Sequence, residues 1–207
     1  MSTAATATLR APLPPEEQAR ADVYALLARL WSAAPDAALL RALGQAPRLS
    51  PQAGAWASAF NRLADASTVM EADAATQEYT DLFIGVGKSE VDLHASHWIE
   101  EPSPSRPLAL LRADLARLGL GRRGVASLLE DHLGALMETM RLLVAGDADL
   151  VPAGIAAQRA FFDRWIGHWP ERCCAAIDAH SIANYYRRVA ECTKRFLAIE
   201  RDSFAMD

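Results

Sequence analysis

Acidic and histidine side chains gather at two places in this chain where they could do chemistry. The first is Glu130-Asp131-His132, inside a stretch whose Val125, Leu128, Leu129, Leu133, Leu136, Met140, Leu143 and Val144 keep a helical apolar rhythm up to Gly146. On a helix, His132 shares a line with Leu128 and Leu136, while Asp131 points about 100° away, toward Gly134, Ala135 and Glu138. An acid beside small residues leaves room for a cation to approach and form charge-assisted hydrogen bonds. The plain alternative is a surface acid next to a partly buried, hydrogen-bonded histidine. The second place is His94-Ala-Ser-His97 with Glu100-Glu101, whose imidazoles and carboxylates are zinc-type donors but offer no third ligand at a recognised spacing. Gly85-Val-Gly-Lys88-Ser89 shares letters with a phosphate loop, yet its glycines follow a helical pattern rather than a strand and lack the required spacing. A nucleotide-handling protein using Lys88 and Asp131 is therefore the alternative reading, and a metal protein using His94, His97 and Glu100 a third. With no G-x-S-x-G, no H-E-x-x-H and no placeable Ser/His/Asp set, neither an enzyme nor a resident cofactor is expected.

The elements that must position these groups are helical. Pro15 with Glu16 and Glu17 opens a helix carrying Val23, Leu26, Leu27, Leu30 and Trp31. Pro35-Asp36 ends it and caps a short helix with Leu39, Leu40 and Leu43. Ser50-Pro51 reads as an N-cap with proline at N1, opening a helix with Trp56, Phe60 and Leu63. Thr68-Val-Met-Glu71 has capping-box spacing before a helix that runs into Tyr79, Leu82 and Phe83. Beyond Gly85 and Gly87 the rhythm stops, and a mixed segment continues through Val91, Leu93, Trp98 and Ile99 to the break at Pro102-Ser-Pro104. Long connections of this kind are usually functional or disordered, and these apolar residues predict one that packs. Further helices are expected from Arg106-Pro107, across 125–145, from Pro152 to Trp169-Pro170, and from near Ser181 onward. Gly121-Arg-Arg-Gly124 reads as a solvated turn. The fold class predicted is all-α, a single-domain bundle of about eight to ten helices with a long ordered central loop. Residues 1–14 are expected to be a disordered tail and 15–207 the domain.

Composition narrows the function. Of 207 residues, 51% are hydrophobic and 23% charged, enough apolar surface for a sizeable core. A net charge of −5 disfavours nucleic acid and suits a basic partner. No apolar run is long enough to span a bilayer, and no leader pattern opens the chain. Cys173, Cys174 and Cys192 are odd in number and lack C-x-x-C spacing, so buried free thiols in a reducing, cytoplasmic setting are expected.

Tyr79-x-x-Leu82-Phe83-x-Gly85-x-Gly87, then Asp131-His132, then Gln158-x-x-Phe161-Phe162-x-x-Trp165-x-x-x-Trp169 and Tyr185-Tyr186-Arg-Arg-Val189 stand in the order seen in a known family. Over residues 16–201 the chain resembles the TorD/DmsD/NarJ-type redox-enzyme maturation proteins. It departs from many members in having Val86 after the first glycine and Leu93-His94 where a Pro-Pro-Tyr phrase is common. The Gly-Lys-Ser-Glu-Val loop looks more like members linked to formate dehydrogenase-type or other molybdoenzymes. The resemblance implies a non-catalytic cytoplasmic chaperone, monomer or homodimer. Its partners would be the twin-arginine signal peptide and the precursor of a molybdoenzyme catalytic subunit, held until cofactor insertion. Such a leader offers two arginines and an apolar segment, which calls for acids beside an apolar groove. Tyr79, Leu82 and Phe83 are assigned to the groove, Asp131 with Glu130 or Glu138 to the acids, and His132 to orienting Asp131 or sensing pH. Gly85, Gly87, His94, His97 and Trp98 shape the loop.

Overall fold

The computed structural model describes residues 12–85, 87–99, 106–121 and 128–206. Among them are ten α-helices and no strand. Most of the expected tail, and Val86, Glu100-Glu101 and Arg122 to Val125, lie outside the described residues. Helix α1 (Pro15–Ser32) starts at a proline with Glu16 and Glu17 in its first turn and buries Tyr24, Leu27, Leu30 and Trp31. Helix α2 (Ala37–Gln45) is capped by Asp36, whose carboxylate accepts the Leu39 N–H at 2.7 Å. Then come α3 (Ala55–Val69) and α4 (Ala72–Tyr79), which runs straight into a π-type turn, Thr80–Ile84. A one-turn helix α5 (Ala95–Trp98) follows, then α6 (Arg106–Arg117), α7 (Leu133–Ala145), α8 (Ile155–Trp165), α9 (Trp169–Ala179) and the long α10 (Tyr185–Met206).

Packing centres on α1 against α7, with α10 lying on α3 and α9. Gly134 sets the first crossing: a Cβ there would stand 2.3 Å from Ser32 Oγ and 3.0 Å from the Ala28 carbonyl. Only glycine lets the two backbones approach so closely. Polar ties then lock α10 in place. Glu200, 1% exposed, accepts from Arg20 (2.9 and 2.7 Å) and from the Tyr24 hydroxyl (2.8 Å). Glu78 of α4, also buried, accepts the backbone N–H groups of Asn184, Tyr185 and Tyr186 at 2.8, 3.0 and 2.8 Å. These are orphan donors at the start of α10, satisfied by a carboxylate from another helix where the positive end of the dipole favours it.

Several sequence expectations shift. Ser50-Pro51 opens only a 3₁₀ turn, Pro51–Ala53, and α3 starts after Gly54, whose φ is 101°. Thr68 is no capping-box residue; it sits inside α3 with its hydroxyl donating to the Asp65 carbonyl, because α3 buries Leu63, Ala64 and Ser67 up to that point. Trp169-Pro170 begins α9 rather than ending α8, consistent with proline's preference for a first turn. The last helix starts at Tyr185, four residues beyond Ser181, where Glu78 supplies its cap. The helix expected across 125–145 begins only at Leu133, which changes the standing of Asp131 and His132.

The Glu78 cap predicts a specific loss. Glu78→Ala leaves three donors without their acceptor, and urea unfolding should show about 3 kcal/mol less stability. Glu78→Gln keeps one acceptor oxygen and should lose less than half of that. A Glu78→Ala change below about 0.5 kcal/mol would show that the carboxylate does not hold α10.

Candidate functional site

The π-type turn carries the chain past Tyr79 with the Gly85 N–H donating to the Thr80 carbonyl at 2.8 Å. Wider turns of this kind often mark functional sites. Gly85 (φ 62°) then reverses the chain, and a Cβ there would collide with the Lys88 carbonyl at 2.2 Å. The returning segment is held by the Val91 N–H on the Leu82 carbonyl (3.0 Å). It next pairs with the start of α7: the Leu133 N–H donates to the Leu93 carbonyl at 2.8 Å and the Ala95 N–H to the Asp131 carbonyl at 2.9 Å.

Between these walls lies a cleft of about 660 Å³. The end of α1 (Ser32, Ala33, Ala34), the α4–π-turn face (Thr76, Tyr79, Thr80, Phe83, Ile84), the returning segment (Ser89, Asp92, Leu93, His94) and Leu128, Leu129 and His132 line it. Its floor is aromatic. Phe83 stands edge-on to Tyr79, Tyr186 and Trp31 at 5.1, 5.0 and 5.9 Å, and the Tyr79 hydroxyl donates to the Trp31 carbonyl at 3.0 Å. Burial pushes the Tyr79 phenol up to about 12, so it stays a neutral donor. At the rim, Ile84 is 58% and Leu129 42% exposed.

The polar end is built from two histidines. Their rings meet edge to face at 5.1 Å. His132 is the N-cap of α7, its Nδ1 accepting the Gly134 N–H at 3.1 Å, so its proton belongs on Nε2. Burial, with His94 beside it, lowers His132 to about 4. His94 is shifted the other way, because its Nδ1 bonds Asp92 Oδ1 at 2.8 Å. The same bonds hold the Asp92 carboxyl below its usual range.

The family model described as Nitrate reductase delta subunit matches residues 47–175, from before α3 into α9. The chain belongs to this family. A comparison with curated proteins found no match. Membership makes it a redox-enzyme maturation chaperone of the TorD/NarJ type, serving molybdoenzyme assembly. The matched span holds the α4–π-turn face and both histidines, while Trp31 and Tyr186, which complete the floor, come from α1 and α10 outside it.

Within this delta-subunit fold the predicted site residues separate. Tyr79, Phe83, His94 and His132 share the cleft. Leu82 does not: fully buried, it belongs to the core, since it lies about 100° from Phe83 around the turn. Asp131 is not an outward-pointing helical acid but a turn residue, 1% exposed, with Oδ2 accepting the Ser96 N–H at 3.2 Å and Oδ1 without a hydrogen bond among the described residues. Glu130 bonds Arg112 at 3.0 Å. Glu138 is clamped by Arg141 on α7, with contacts of 2.7–2.9 Å. Gly85 and Gly87 both take positive φ. His97 and Trp98 lie on α5, where the Trp98 indole donates to the Asp92 carbonyl at 2.8 Å and the Arg172 guanidinium covers its ring. Lys88 is exposed on the turn while Asp131 is buried, and among the described residues the glycines are not followed directly by a helix as a phosphate loop's are. Among the described residues no three His, Cys, Asp or Glu side chains are grouped to hold a metal. The three cysteines are buried free thiols. Sequence reasoning missed Asp92 and the exposure of Ile84 and Leu129 beside the cleft; the D-x-H spacing was visible, but its chemistry depends on the turn.

The histidine pair predicts how stability follows pH. Unfolded His132 takes a proton near its ordinary value of about 6.5, whereas in the fold it resists until about 4. Between these values the unfolded state binds more protons, so stability should fall on acidification. His94 has the opposite sign: its stabilisation is fully present below its unfolded value and is lost as pH rises through its raised folded one. Thermal unfolding from pH 7 to 4 should therefore show a shallower acid-side drop in His132→Asn, which keeps a capping acceptor, and a steeper one in His94→Gln. Identical slopes for the wild type and His132→Asn would contradict the neutral, buried assignment.

Proposed function

We propose that the cleft receives the twin-arginine leader of a molybdoenzyme catalytic-subunit precursor. By holding it in the cytoplasm, the chaperone keeps the apoenzyme back until its cofactor is inserted. The observation that carries this reading is the rim: Ile84 and Leu129, large and apolar, stand exposed over an aromatic floor. Water is a poor neighbour for such a surface, and burying it under an apolar peptide gains about 25 cal/mol per Å². In this reading Tyr79, Phe83, Ile84 and Leu129 hold the leader's apolar segment. His132 and Asp131 shape the wall by capping α7 and fastening α5. Leu82 supports the turn from beneath. A formate dehydrogenase-type client is the one suggested by the Gly87-Lys-Ser-Glu-Val91 loop.

Calorimetric titration of the full chain with three peptides tests the reading: a native leader, its Arg-Arg to Lys-Lys form, and one with a polar core. The polar-core peptide should bind at least about a hundredfold more weakly, and Ile84→Ser should lose about tenfold with its melting temperature unchanged. Raising salt from about 0.1 to 1 M shortens screening from about 10 to 3 Å and should weaken binding only moderately. Equal affinity for the native and polar-core peptides would refute an apolar cleft. Leaders of formate dehydrogenase-type and nitrate reductase-type clients, compared side by side, would rank the clients.

A further inference from the structure

The leader's arginines need a carboxylate, and the acids expected to supply it are engaged elsewhere. Asp131 is buried and turned toward the backbone of α5, Glu130 meets Arg112, and Glu138 is clamped by Arg141. Among the described residues, the carboxylate that lines the cleft is Asp92, whose side chain is 35% exposed. Its Oδ1 accepts both the backbone N–H and the ring Nδ1 of His94, each at 2.8 Å. Its Oδ2 has no hydrogen bond among the described residues, and His97 Nδ1 stands 3.9 Å from it. Asp92 therefore has one oxygen committed to His94 and one available to an entering cation.

His94 also lines the cleft, so whatever reaches Asp92 comes close to its ring. Around the pair stand His132 and Asp131 from the facing segment, His97 from α5, the Cys173 thiol from α9 at 3.6 Å from the Asp92 carbonyl, and the Tyr79 phenol from α4. Of these, Asp131 favours a charged His94 and His132 is kept neutral by burial. Asp92 is thus the group that favours a charged His94 most directly. A guanidinium stays charged at any ordinary pH and forks onto carboxylates. Two cations on one carboxylate repel, and the imidazolium is the one able to give up its charge.

We infer that Asp92 is the residue that reads a leader arginine, and that the arginine displaces a proton from His94 as it binds. This rests on the leader-binding reading above. The balance is simple: the guanidinium hydrogen-bonds to Asp92, His94 keeps its Nδ1–H bond to Oδ1, and its Nε2 proton passes to solvent. Binding then releases a proton and tightens as pH rises from about 6 to 8, across the range where a histidine titrates. Lysine, a point charge without a fork, is the poorer occupant.

Calorimetry of the full chain with the native leader, in two buffers of different ionisation enthalpy, measures the released proton. Release should be fractional and peak near the His94 titration. Asp92→Asn should lose at least about tenfold in affinity along with most of the salt dependence. His94→Gln should abolish the release and flatten the pH profile. In an independent arm, acetyl-arginine amide should lower the His94 titration midpoint followed by NMR in the wild type but not in Asp92→Asn. Leader binding with no proton release and full affinity in Asp92→Asn overturns the inference and leaves the leader reading standing. A wild type that binds no leader sinks the leader reading, and the arginine-amide shift then decides whether Asp92 reads guanidinium at all.

Discussion

Two backbone hydrogen bonds, Leu133 to Leu93 and Ala95 to Asp131, fix the side of the cleft that faces the π-type turn. Buried backbone groups outside a helix must find partners, and here two non-helical segments far apart in sequence find each other. That pairing brings His94 against His132, turns Asp131 inward to receive the Ser96 N–H, and stands the returning segment across from the α4–π-turn face. The cleft is the space left between them. Without the pairing, the Leu133 and Ala95 N–H groups would lose their acceptors, and the segment before α7 its tie to the returning segment.

The floor depends on elements further away. Trp31 is held by Thr193 of α10 at 3.1 Å and Tyr186 by the Leu30 carbonyl at 3.2 Å, so α1 and α10 fix the aromatic group jointly. Glu78 starts α10 one helical turn before Phe83, on the same stretch that forms the cleft wall. Stability and site are thus coupled through α4: its buried face anchors α10 while the turn that follows presents Phe83 and Ile84. A rigid aromatic floor under an exposed aliphatic rim suits a ligand recognised by apolar area, with polar selection left to one end.

Much of the helical framework was legible in the sequence. Pro15 with two glutamates, the Asp36 cap and the leucine spacing of α1 and α2 are local signals, and local signals decide local structure. The ordered phrase from Tyr79 to Gly87 pointed to the family. What failed was everything settled by distant partners. Leu128 and Leu129 continue the apolar rhythm of α7, so nothing local says that the helix stops short of His132. Histidine is not among the usual capping residues, and its role becomes evident only from its Nδ1 on the Gly134 N–H. Leu82 and Phe83 are equally apolar neighbours, and only the packing of α1 and α10 decides which is core. Asp92 escaped because its chemistry is set by the turn to His94.

The central claim, that the client enters between the π-type turn and the start of α7, is tested most directly by hydrogen–deuterium exchange on the full chain with and without a bound leader peptide. Slowed exchange should concentrate in residues 79–85 and 128–134, the two walls of the cleft, with α8 and the outer face of α10 unchanged. Protection falling instead along α6 and α8, with both cleft walls exchanging as in the free protein, would contradict the account.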